Sequence, residues 1–186
     1  RTGRLSVAMV CGGHGAQYHG MSASLYQSEA VFRAAFDRAA AIANQYCDTD
    51  LSALLHTEAK PASGKLFGAN QIEGELGRTL PAQLSIFCVQ YALAQQWQAW
   101  GVAPKALLGY SLGEYTAACL AEVFSLDDAI LLIAERARLM DVHTPPGAML
   151  TAFHGEEAVQ AIVGDYADAS IAAVNGPGII LVAGTR

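Results

Sequence analysis

The stretch ALLGYSLGEYTAACLAEVF, residues 106–124, constrains the fold of this chain more than any other. A short apolar run enters a Gly-Tyr-Ser-Leu-Gly turn and leaves as a series of small residues. The pattern predicts a strand, a tight corner and a helix. Ser111 then sits at the corner in a strained backbone conformation, while Gly109 and Gly113 let strand and helix approach each other. Backbone N–H groups at a helix start face such a serine, where the helix dipole favours negative charge. A serine presented this way is a candidate nucleophile beside one half of an oxyanion hole. The same five residues also occur as an ordinary glycine–serine turn, so the rest of the chain has to decide.

A second glycine-rich segment, CGGHGAQYHGM at 11–21, follows an apolar run at 5–10 that reads as a buried strand. A turn there can supply another backbone donor. The 186 residues are 53% hydrophobic, enough to bury the core of one domain and a small satellite. A formal charge of −6 argues against nucleic acid, whose phosphates need clustered Lys and Arg. No uninterrupted apolar run is long enough to span a membrane. Cys11, Cys47, Cys88 and Cys119 have no C-x-x-C spacing and read as buried, reduced thiols, with neither metal nor disulfide expected. The chain opens on Arg1 with no signal-like segment, as expected for a piece of a longer, cytoplasmic polypeptide.

Helical periodicity runs over 21–43 with a break near Ser28, and 50–56 predicts one more short helix. Residues 58–75, with Pro61, Gly64, Gly68 and Gly74, read as a loop. A long, mostly buried helix is expected over 81–100, with Pro81 in its first turn, Gly101 at its end, and an apolar stripe that includes Tyr91, Leu93 and Trp97. Ser125 is placed to cap the next helix, because SLDD puts a carboxylate three residues on. After Pro146 the order becomes strand, helix, strand, turn, strand, the front of a ferredoxin-like unit. A boundary is therefore expected near 142–147.

The segment GYSLGEYTAACLAEVFSLDDAILLIAERARLM closely resembles the nucleophile region of malonyl-CoA:acyl carrier protein transacylases. More closely still, it resembles the acyltransferase domains of modular polyketide synthases, whose usual form is G-H-S-x-G-E. GGHGAQYHGM is similar to the family's early G-Q-G-x-Q loop, and TPPGAMLTAF with AAVNGPGIILVAG to its small inserted lobe. The resemblance implies an α/β-hydrolase-like large body over 1–143 and a ferredoxin-like α+β lobe over 144–186, both incomplete. It also implies acylation of Ser111, with the backbone N–H groups of Leu112 and His14 as oxyanion donors. His14 stands where the family usually has glutamine, which a backbone donor tolerates. Tyr110 replaces the usual histidine, and Leu80 stands where many members carry a glutamine near the pocket. Leu112 after the serine is similar to the malonyl-preferring form of the motif.

Arg136 follows the serine by 25 positions inside an apolar helix. A guanidinium pairs with a carboxylate through two hydrogen bonds and keeps its charge in an apolar pocket. The resemblance makes Arg136 the anchor for a free malonyl carboxylate, while Arg138 reads as a surface ion. Asn175, in the NGPG turn, either faces the cleft or is a plain turn residue. A serine nucleophile also needs an imidazole base. Among His14, His19, His56, His143 and His154, only His154 in TAFHG looks like the family's catalytic histidine. It precedes the small lobe's later strands, whereas the family's base follows that lobe. The base is therefore expected outside this chain, His19 at the mouth of the cleft, and His56 and His143 exposed at helix ends. Apolar surface is expected to remain uncovered on the large body.

What the resemblance implies is transfer of a malonyl or related dicarboxylic acyl unit from CoA, through an acyl-serine, to an acyl carrier protein. The implied setting is a multidomain synthase with neighbouring domains, no cofactor beyond the CoA thioester substrate, and no nucleic acid or membrane partner. Two other readings compete: a serine hydrolase that discharges acyl groups to water, and a non-catalytic docking or structural remnant.

Overall fold

The computed structural model describes residues 6–56 and 74–185, and they divide into two compact units, Arg1–Asp141 and Val142–Arg186. The mixed α/β order begins with β1 (Ala8–Cys11), α1 (Ala23–Ser28), α2 (Ala30–Ala43) and α3 (Leu51–His56). The helical break expected near Ser28 falls at Glu29, whose extended backbone separates α1 from α2. Most of the expected loop at 58–75 lies outside the described residues; a single 3-10 turn, Glu75–Gly77, leads into α4 (Thr79–Ala99). Pro81 stays in the first turn of α4, where its missing N–H has no intrahelical acceptor to lose.

Helix α4 forms the axis of the first unit. Residues 81–89 are buried without interruption, and Phe87, Cys88, Leu84 and Ala92 join Phe32, Phe36 and Ala39 of α2 in one core. Trp97 departs from the expected stripe: it is exposed and packs edge-to-face on Trp100, because the last turn of α4 runs past the core. Gly101 closes that helix with φ +86°, its N–H bonded to the Gln98 carbonyl and the Val102 N–H to the Trp97 carbonyl.

β2 (Ala106–Gly109) pairs in parallel with β1, with Cys11 opposite Gly109. Only Cys11 of β1 is buried, whereas the sequence suggests a wholly buried strand; Val10 and Leu108, paired across the two strands, are largely exposed. α5 (Gly113–Leu120) and α6 (Leu126–His143) follow. Ser125 caps α6: its Oγ accepts the Asp128 N–H at 3.1 Å and its hydroxyl donates to the Asp128 carboxylate at 2.7 Å.

In the second unit, β3 (Gly147–Ala152), β4 (Ala169–Gly176) and β5 (Ile179–Thr185) form an antiparallel sheet in the order β3-β5-β4. α7 (Glu156–Val163) packs on it through Val159 and Val163, against Ile180, Ile171 and Val182. No helix among the described residues is long and apolar enough to cross a membrane.

Candidate active site

Two adjacent parallel strands end side by side, so the loops that leave their carboxyl ends must share a crevice. The Tyr110 N–H donates to the Cys11 carbonyl at 2.9 Å, extending the pairing one residue beyond β2. The chain then turns at Ser111, whose φ of +53° lies in the left-handed region that a residue with a side chain avoids. Neighbouring glycines make the turn possible. A Cβ at Gly109 would overlap the Glu114 backbone, and one at Gly113 would overlap the Cys11 carbonyl. Ser111 is exposed, while Leu112 behind it is fully buried in the core. The Leu112 side chain therefore touches the core, and any bearing of this leucine on substrate choice is indirect.

Gly13 of the glycine-rich loop lies against the serine corner. A side chain there would come within 2.9 Å of the Tyr110 carbonyl oxygen and 3.3 Å of Ser111 Cβ. His14 follows at once, so its peptide N–H belongs to the same crevice. Among the described residues, the N–H groups of His14 and Leu112 donate to no protein acceptor, unlike those of Gly113 and Glu114, which bond back to Tyr110 and Ser111. The far side of the loop is anchored: Gln17, buried, accepts the Gly15 N–H at 2.9 Å and donates to the Leu76 carbonyl.

Arg136 is half-buried on α6. One guanidinium nitrogen, Nη1, donates to Gln83 Oε1 at 2.6 Å, and the guanidinium carbon lies 6.0 Å from the Tyr115 ring centroid. Its charge reaches the glycine-rich loop. The His14 imidazole, though its residue keeps an open outer face, is pulled below the ordinary histidine pKa by partial desolvation and then by the Arg136 charge. Arg138, two residues on, pairs with Glu135 and donates to the Tyr46 carbonyl at the surface.

Gln83 is the site residue that sequence reasoning missed. It is fully buried, and its side chain is what holds Arg136. Leu80, one helical turn earlier, packs partly buried against the hydrophobic core. The available signal was a glutamine at i+3 from Leu80 within an otherwise apolar stretch, on the same helix face. Tyr110 is exposed beside Ser111.

Asn175 belongs to the second unit, exposed near the end of β4, and His154 lies there too, exposed, its Nδ1 accepting the Gly155 N–H at 2.9 Å. His19 and His143 are exposed. His56 is not, contrary to the sequence expectation: it is stacked on Tyr26 with ring centroids 3.7 Å apart and lies 3.1 Å from the Ser22 hydroxyl. No cysteine competes with Ser111. All four are free and buried; burial raises Cys88 to about 12, and burial and then the Glu114 charge raise Cys11 above the usual thiol range.

The arrangement is that of an exposed alcohol with two free N–H donors and a fixed cation, suited to attack on a carbonyl that carries a distant negative charge. The family profile described as acyl transferase domain matches residues 8–186. A phenolphthiocerol/phthiocerol polyketide synthase of Mycobacterium tuberculosis is 39% identical over 174 residues, 94% of this chain and 11% of that protein. The solved acyltransferase domain of SpnD, in complex with 2-(pent-4-yn-1-yl)malonyl, is 35% identical with a TM-score of 0.81, covering 100% of this chain and 41% of that one. A malonyl-transacylase solved with its type II polyketide synthase acyl-carrier protein is 28% identical with a TM-score of 0.79, covering 98% and 56%. The chain thus spans about a tenth of the mycobacterial synthase and about two fifths of the solved acyltransferase domain.

Proposed function

The chain belongs to the acyl transferase domain family, among polyketide synthase relatives, and on that footing we propose that it forms the nucleophile-bearing part of a domain that moves a dicarboxylic acyl unit, malonyl by preference, from CoA to an acyl carrier protein. Ser111 Oγ attacks the thioester carbonyl, and the Leu112 and His14 N–H groups receive the developing oxyanion. The carbon–sulfur bond breaks, CoA leaves as its thiol with the serine's proton, and the acyl group stays on Ser111. The phosphopantetheine thiol of the carrier then attacks this ester and restores the hydroxyl. An imidazole acting as general base carries these protons.

The observation that carries this reading is the Arg136–Gln83 pair. A neutral buried acceptor orients the guanidinium without cancelling its charge, so the remaining N–H groups stay available for a substrate carboxylate. A hydrolase of neutral acyl groups has no use for such a cation. The sheet order β3-β5-β4 in the second unit supports the ferredoxin-like reading of the small lobe, and the serine corner after a parallel strand supports the α/β-hydrolase-like reading of the body.

Arg136→Ala in the full-length protein tests the assignment. With malonyl-CoA, kcat/KM should fall by roughly 10- to 100-fold, the worth of a charge-assisted hydrogen-bonded pair, while acetyl-CoA turnover holds or rises. An equal loss for both thioesters would remove Arg136 from substrate selection.

A further inference from the structure

Gln90 of α4 is bonded to both segments that carry the His14 and Leu112 N–H groups, the glycine-rich loop at Gly12 and α5 at Thr116, although it lies in neither. Its Nε2 donates to the Gly12 carbonyl at 2.9 Å, immediately before Gly13 and His14. Its Oε1 accepts the Thr116 hydroxyl at 3.1 Å, and Thr116 is fully buried in α5, the helix whose N-terminal end carries Leu112. The orientation of the amide is dictated by its partners. A carbonyl can only accept, so the NH₂ group must face Gly12, and the oxygen left over needs the donor that Thr116 provides. Reversing the amide would oppose two acceptors at Gly12.

The loop has few other ties at this point. The pairing of β1 with the second strand ends with the Tyr110 N–H bond to the Cys11 carbonyl, and Gly13 meets the serine corner only by contact. With no side chain at Gly113, α5 sits directly on the Cys11 and Gly12 carbonyls. The separation of the His14 and Leu112 N–H groups is therefore set by how the Gly12 peptide is held against α5, and Gln90 bridges those two elements.

We propose that Gln90 is a positioning residue for the transfer reaction: a clamp, oriented by Thr116, that fixes the Gly12–Gly13–His14 loop at the distance from α5 at which both N–H groups reach one oxyanion. This rests on the acyl-transfer reading for its consequence in catalysis, but the clamp itself is a structural property with its own readout. Removing one oxyanion donor outright costs about 10²–10³ in kcat. Misplacing one should cost about tenfold or more, with KM little changed, because the oxyanion exists only in the transition state.

The test uses Gln90→Leu, the near-isosteric Thr116→Val and the hydroxyl-retaining Thr116→Ser in the full-length protein, with acyl transfer kinetics and amide hydrogen exchange of residues 12–15 measured on each. Thr116→Val and Gln90→Leu should speed exchange in that loop and lower kcat at constant KM, and Thr116→Ser should restore both. Wild-type loop exchange in Gln90→Leu, or a Thr116→Ser variant no better than Thr116→Val, overturns the clamp. Failure of the unsubstituted protein to acylate Ser111 would instead defeat the transfer reading, and the exchange comparison would still decide the clamp.

Discussion

Single residues in this chain take on roles through the neighbours that surround them, and His56 is a clear case. Its ring is stacked on Tyr26 of α1, lies edge-on to Phe36 of α2 at 4.8 Å, and meets the Ser22 hydroxyl, so it joins three helices. Burial lowers its pKa, partly offset by the carboxylates of Asp37 and Asp50. The folded state therefore prefers the neutral imidazole. As pH falls, the unfolded chain takes up the proton first, near the ordinary value of about 6.5. Stability from this group is complete above that value and is lost as pH falls from there to the lower folded pKa. His14 shifts in the same direction and adds to the slope. The urea midpoint should drop as pH falls below the ordinary histidine value of about 6.5, and His56→Gln should flatten the drop; a midpoint that rises on acidification would contradict this. Gln83 and Leu80 mark what the sequence left illegible at this scale. On a helix, a slip of one turn keeps the same face, so pattern alone could not say which of the two positions meets Arg136.

Elements were more legible than residues, because their ends carry chemistry that is local. The Ser125 cap of α6, the Pro81 start of α4 and the Gly101 end of α4 are all readable as short motifs, and each has a structural counterpart. The end of α5 is not readable in that way. Glu122 stands there with φ +60°, its N–H bonded to the Cys119 carbonyl and the Val123 N–H to the Ala118 carbonyl, the same closure that Gly101 makes for α4. A side chain in this conformation costs about 1–2 kcal/mol, and a carboxylate at a helix C-terminus adds an unfavourable dipole contact. Glu122→Gly should therefore stabilise the protein by about 1 kcal/mol, visible as a rise in Tm, after the extra freedom of glycine in the unfolded chain is subtracted. A lower Tm would mean that Glu122 makes a compensating interaction.

At the scale of the molecule, the candidate site draws on segments far apart in sequence: the loop at 12–14, Gln83 and Gln90 of α4, the corner at 110–112 and Arg136 of α6. The parallel pair β1–β2 makes this possible, since it sets two loop starts side by side. The sequence displays each segment, and the resemblance assigns most of their roles. What it lacks is the third dimension: that Leu112 turns inward, that Gln90 spans from Gly12 to Thr116, and that Val10 and Leu108 face outward. These depend on which face each element presents, and tertiary packing alone decides that. The central claim is that the exposed Ser111 is the group that becomes acylated. Peptide mass mapping of the full-length protein after incubation with malonyl-CoA and acid quench tests it most directly. A malonyl adduct on the Ser111 peptide that disappears in Ser111→Ala is the predicted result; an adduct on another residue, or one that survives Ser111→Ala, would contradict it.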